Sequence, residues 1–250
     1  MIPVARPTGR AISIRGTGME RLGLGMLAAA LGTGVVALLL QALKAGRARS
    51  AVRAAYLDSC AALFSSPRIE PDGGGFPRLS GTYGGQTFDL RAVLDTLTFR
   101  KLPALWVLVT LPCPMPLRGT IDLMMRPTGM EPFSNFHVLP DQVATPPGFP
   151  GELAIRTDDR SALPPESLLR PYLDLFDDPQ VKELVLSPRG LRITFLAEEA
   201  NRARYLIFRD AEVGVTPLPP DRLKPHLDAL LAMREGVLRV APEPRKSLSR

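Results

Sequence analysis

From Leu22 to Leu43 the chain reads LGLGMLAAALGTGVVALLLQAL, an uncharged run whose only polar side chains are Thr33 and Gln41. As a helix it would be about 33 Å long at 1.5 Å per residue, close to the thickness of about 30 Å of a bilayer's hydrocarbon core. Lipid offers backbone N–H and C=O groups no partner, so a helix is the conformation such a run must adopt there. Arg21 and Lys44 bracket it, with stems long enough to reach the headgroups. A cleaved signal peptide would have a shorter apolar region, about 7–15 residues, and then a small-x-small site. Here KAGRARS follows instead. A buried core helix is the remaining alternative. The expectation is an uncleaved signal-anchor: a single-pass membrane protein whose first partner is the lipid bilayer. Within the span, small residues recur four apart, as in Gly25 and Ala29 or Ala28 and Gly32. That spacing lets helix backbones approach closely, so Gly25, Ala29 and Gly32 are candidates for contact with another membrane protein or a second copy.

The stretch AVRAAYLDSCAALF favours helix, with Val52, Ala55, Tyr56, Cys60 and Leu63 at helical spacing. This predicts a juxtamembrane helix over 44–65, ending before Pro67. The segment SSPRIEPDGGGFP then reads as a loop or hinge. Two alternating runs, 79–83 and 86–90, flank Gly84-Gly85 and predict a β-hairpin, because primed turns need positive φ at their centre. Further strands are expected at 105–111, 121–125 and 152–156, around a Pro-rich excursion over 126–151. Residues 164–176 carry Leu168, Leu169, Tyr172, Leu173 and Phe176 on one helical face, with Pro171 implying a kink or a later start. Three strands, 181–186, 191–196 and 204–209, and a helix over 220–233 complete the order. Hairpins outnumber strand–helix alternations, which predicts an α+β fold with a mainly antiparallel sheet and packed helices. The domains expected are a basic flank (1–21), a transmembrane helix (22–43), the juxtamembrane helix (44–65), the α+β body (66–240) and a solvated tail (241–250).

The formal net charge of +6 is unevenly placed. Residues 1–53 hold eight Lys/Arg and one acid, and the remaining residues hold 23 Lys/Arg against 24 acids. The body therefore lacks the basic excess that draws phosphates, and nucleic acid is excluded as a partner. Counted from Met1, the span's flanks tie in Lys/Arg. Counted from Met19, the excess lies after the span, which places the body in the cytoplasm.

Candidate chemistry is sparse. Cys60 and Cys113 lack metal-ligand spacing and read as small buried thiols, able to bridge only in an oxidising compartment. His137 and His226 stand apart from Cys and acid clusters, so no metal is expected. Gly73-Gly74-Gly75 lacks the Lys-Ser/Thr of a phosphate loop. The chain has no G-x-S-x-G and no H-E-x-x-H. Asp158-Asp159, Asp177-Asp178 and Glu198-Glu199 read as turn and cap residues. The remaining candidates are Arg202, Arg204 and Arg209, placed to pair with Glu198 and Glu199 across a hairpin or to hold an anionic headgroup or a partner's carboxylate. No catalytic residue and no cofactor is expected. The functional expectation is a membrane-anchored domain that binds a protein or a membrane surface. The alternative is a tethered enzyme with the 126–151 segment as its lid.

Overall fold

The computed structural model describes residues 18–96, 102–129, 131–203, 205 and 213–240. The chain divides into an N-terminal unit, 1–48, and a larger unit, 49–250. Helix α1 (Gly18–Ala54) provides the described part of the first and continues into the second. Its length over the apolar run makes it capable of crossing a membrane. Its large apolar side chains from Met26 to Leu43 are exposed, as at Met26 (72%), Leu31 (63%) and Leu38 (66%).

The expected helix over 44–65 is cut short. α1 stops at Ala54, where the amides of Ala55 and Tyr56 bond three residues back, to Val52 and Arg53. A 3-10 helix, Asp58–Leu63, follows. The break turns Tyr56, Leu57 and Cys60 into the core, and continuing straight would leave them in solvent. Ser65–Pro71, expected as loop, forms an edge strand, β1. Every residue of it is exposed, a bulge interrupts its pairing between Ser65 and Arg68, and Ser66 has φ of 52°. Prolines and charges at such an edge discourage further strand addition.

The strands that follow are β2 (Pro77–Tyr83), β3 (Gln86–Asp95), β4 (Ala104–Leu111), β5 (Ile121–Met125), β6 (Asp141–Val143), β7 (Leu153–Thr157), β8 (Val181–Ser187) and β9 (Gly190–Glu199). They form one nine-stranded sheet in the order β1-β2-β3-β4-β9-β8-β5-β7-β6, with every pairing antiparallel. The α+β class expected from the pattern is the one observed. The β2–β3 hairpin turns on Gly84 and Gly85 with φ of 56° and 75°, as a primed turn requires. β6 is a strand inside the segment expected to be wholly irregular.

Helices cover one face of the sheet. Residues 164–176 do not make one helix: α2 (Glu166–Leu169) is a single turn, and Arg170–Asp177 continues as 3-10 helix. Pro171 has no N–H to give an α-helical bond, and its ring crowds the preceding turn. Helix α3 (Pro220–Val240) lays Leu223, Leu227, Leu230 and Met233 on this face, against Phe88, Leu105, Val107, Ile193 and Phe195 of the same core. Arg222 fastens its first turn, donating to the carbonyls of Ala197 (2.6 Å) and Leu196 (2.9 Å).

His226 of α3 stacks on Phe195 with ring centroids 4.3 Å apart. Burial pushes its pKa down to about 4; Asp178 acts against that shift and Arg222 adds to it. The folded state therefore resists the proton that the unfolded chain accepts below about pH 6.5. Its contribution is intact above that pH and is lost as pH falls toward 4. His226→Leu is expected to reduce the acid sensitivity by about 2 kcal/mol at pH 5, read as the change in urea midpoint between pH 7.5 and 5. Equal acid losses in wild type and variant would refute it.

Candidate binding cleft and the polar layer beneath it

The second face of the sheet is covered by the segment after β5, which includes the 3-10 turn Phe136–Val138. Phe133 and Phe136 are buried there with Leu108 and Met124, and Phe133 lies 4.8 Å from Trp106, centroid to centroid. β4 is consequently apolar on both sides, and this is why ALWVLVTL reads as a continuous run rather than an alternating one.

Glu131 organises the covering segment. Its carboxylate accepts from the Thr128 amide (2.6 Å), the Thr128 hydroxyl (2.8 Å) and the Gly129 amide (3.2 Å). His137 Nε2 lies 3.1 Å away and Lys182 Nζ 3.6 Å. Burial alone would raise the Glu131 pKa, but the Thr128 donors, Lys182 and His137 outweigh it and hold the group below the usual carboxylate range. Lys182 Nζ also donates to the carbonyls of Met125 and Arg126, at 2.6 Å each.

A second carboxylate, Glu183, is fully covered. It accepts from Ser134 Oγ in the covering segment, from Thr194 Oγ1 (2.8 Å) and from Arg192 Nη2 (3.1 Å). A bulge between Val181 and Glu183 makes this arrangement. Consecutive side chains of a regular strand point to opposite faces, but here Lys182 and Glu183 both meet the covering segment. Asp122, on neighbouring β5, is 2% exposed, and its Oδ1 is buried with no hydrogen-bond partner. Burial, reinforced by Glu183, raises its pKa to about 9, so Asp122 holds a proton at neutral pH.

Above this layer lies a cleft of about 680 Å³, lined in part by Thr110, Thr120, Asn135, Asp158, Arg189 and Arg192. Its rim is the β8–β9 turn, Ser187-Pro188-Arg189-Gly190. Ser187 Oγ donates to Gly190 O (3.0 Å), and Met115 N donates to Pro188 O (3.0 Å), so the turn is held at both ends. Gly190 has φ of 144°, and a Cβ there would collide with the carbonyl of Leu111.

Of the residues singled out from sequence, Asp158 lines the cleft. Arg202 is exposed and, with Ala203 and Tyr205, helical; the rest of the strand expected at 204–209, including Arg204 and Arg209, lies outside the described residues. Glu198 accepts from the Gly214 amide at 2.8 Å. Gly25, Ala29 and Gly32 lie exposed along α1. Asp158 accepts from the Thr120 amide (2.7 Å), Asp159 caps Ser161 (2.8 Å) and Asp178 accepts from Gln180 N (2.8 Å), which are turn and cap roles. Cys60 and Cys113 are buried and unbridged. Cys113 Sγ meets Met115 Sδ at 3.4 Å, and His137 is engaged by Glu131, so thiol and imidazole have separate partners. Among the described residues no group of three His, Cys, Asp or Glu side chains is placed to hold a metal ion. The Asp122–Glu183 pair was not legible in the sequence, where the two lie in separate strands with 60 residues between them. The one signal was Asp122, an acid set within an otherwise apolar strand.

No family model and no curated protein matches this chain.

Proposed function

We propose that this chain is a single-pass membrane protein, held by an uncleaved signal-anchor, whose α+β domain binds a partner at the membrane surface. The observation that carries the reading is the state of α1: its large apolar side chains from Met26 to Leu43 are exposed. Exposing such a run to water is strongly unfavourable, and bilayer lipid is the solvent that suits it. Lys44, Arg47, Arg49 and Arg53 follow the run, and this cationic flank supports a cytoplasmic domain.

Binding is favoured over catalysis by how the reactive groups are used. His137 is tied to Glu131, and Asp141 is tied to Arg160 at 2.8 Å. Phe133 and Phe136 are packed into the second face, which suits a structural layer better than a lid. The test is extraction of membranes with alkaline carbonate. The full chain should remain in the pellet, and recovery in the supernatant as a detergent-free monomer would refute the anchor. A reporter at residue 250 that scores as cytoplasmic supports the orientation, and an external one reverses it.

A further inference from the structure

We propose that the cleft beside the β8–β9 turn is a binding site for a small organic carboxylate, held by the guanidinium groups of Arg189 and Arg192. This rests on the reading of the domain as a binding module and names the class of ligand. Arg189 stands exposed at the rim of the cleft, and its guanidinium has no hydrogen-bond or ion-pair partner in the described chain. Its backbone is fixed, because its amide donates to Ser187 Oγ (3.3 Å) within a turn pinned at both ends. A cation presented on a rigid turn without an internal acid is poised for an external one.

Arg192 stands three residues along the same hairpin. Of its five N–H donors, one is given to Glu183, and Nε is buried without a partner. The anchored Nη2 orients the guanidinium plane, which leaves further donors for a planar oxyanion. Thr110, Thr120 and Asn135 add uncharged polar groups to the walls. The acids nearby do not oppose an anion strongly: Glu183 is covered and saturated by three donors, Asp158 is engaged by Thr120 N, and Asp122 is held protonated by its surroundings.

The ligand's carbon skeleton follows from the rest of the lining. Leu139, Val185, Pro188 and Leu191 supply apolar wall beside the arginines. A bare inorganic anion would leave that wall unused, whereas an organic acid covers it. The volume of about 680 Å³ falls in the range usual for small-molecule sites.

The experiment is calorimetric titration of the full chain in detergent micelles with succinate, and separately with inorganic phosphate at matched ionic strength. Succinate should bind with a millimolar or tighter constant, and phosphate at least tenfold more weakly. Arg189→Ala should weaken succinate at least tenfold with an unchanged melting temperature, since that side chain bonds to none of the described residues. Arg160→Ala, whose guanidinium pairs with Asp141, should bind succinate as wild type does. Phosphate binding as tight as succinate, lost in Arg189→Ala, overturns the carboxylate assignment but keeps the domain a binding module. Succinate binding that survives Arg189→Ala overturns the site. Binding of neither probe overturns the proposal, while partner crosslinking in membranes still decides the wider reading by itself.

Discussion

Lysine placed at both Leu31 and Val35 is expected to release the chain from membranes that otherwise retain it through an alkaline wash. The two positions are one helical turn apart, near the middle of the apolar run, and both are exposed along α1. A lysine at the centre of a spanning helix costs about 2.5–3.5 kcal/mol on insertion scales, whereas each leucine contributes only about 0.3–0.6 kcal/mol. The run contains eight leucines, so their combined contribution is a few kcal/mol. Two lysines exceed it. Leu31→Ala with Val35→Ala removes bulk without adding charge and should stay in the pellet, which separates loss of insertion from loss of helix. If the double lysine variant pellets as wild type does, lipid is not the solvent of this helix.

Replacing Asp122 by asparagine is expected to stabilise the domain at neutral pH, although it removes a buried polar side chain's native form. In the unfolded chain Asp122 loses its proton near pH 3.8, while in the fold burial and Glu183 keep it protonated up to about 9. The folded state therefore binds the proton that the unfolded state has released, and stability drains away as pH rises between those limits. Each pKa unit corresponds to about 1.4 kcal/mol. Allowing for the shared environment of the two carboxyl groups, a gain of about 3 kcal/mol at pH 7 is expected, or roughly 5–10 °C in Tm. An asparagine amide fills the same volume with nothing to titrate. The gain should shrink toward zero at pH 4. Glu183→Gln should act in the opposite direction, because it weakens the acceptor that serves Ser134, Thr194 and Arg192. Thermal melts of the three proteins at pH 4.5, 7 and 8.5 check the signs, and a destabilised Asp122→Asn at pH 8.5 would show that Asp122 is ionised in the fold.

Local pattern told much of this architecture and missed its chemistry for a definable reason. The Gly84-Gly85 hairpin was legible because two runs of period two met at residues that accept positive φ. The strand at 105–111 is legible as a near-continuous β-favouring run, and those at 181–186 and 191–196 by the Ser187–Gly190 turn that joins them. The juxtamembrane helix was overextended because Ala-rich sequence favours helix as far as Phe64, and only the core's demand for Tyr56 and Cys60 breaks it after Ala54. The segment of β1 reads as loop because a strand exposed along its whole length has no hydrophobic alternation to detect.

From the sequence alone follow the apolar span and its charged flanks, the antiparallel hairpins, and the apolar stripe of the last helix. Each is set by neighbours a few residues apart. Tertiary structure alone decided that β5 lies between β8 and β7, and that the bulge in β8 turns Lys182 and Glu183 toward one layer. It also decided that Asp122 is buried beside the Glu183 charge, which raises its pKa. Strand order and register join residues some 60 positions apart, and a carboxyl group's charge depends on which groups surround it after that joining. No local period encodes either.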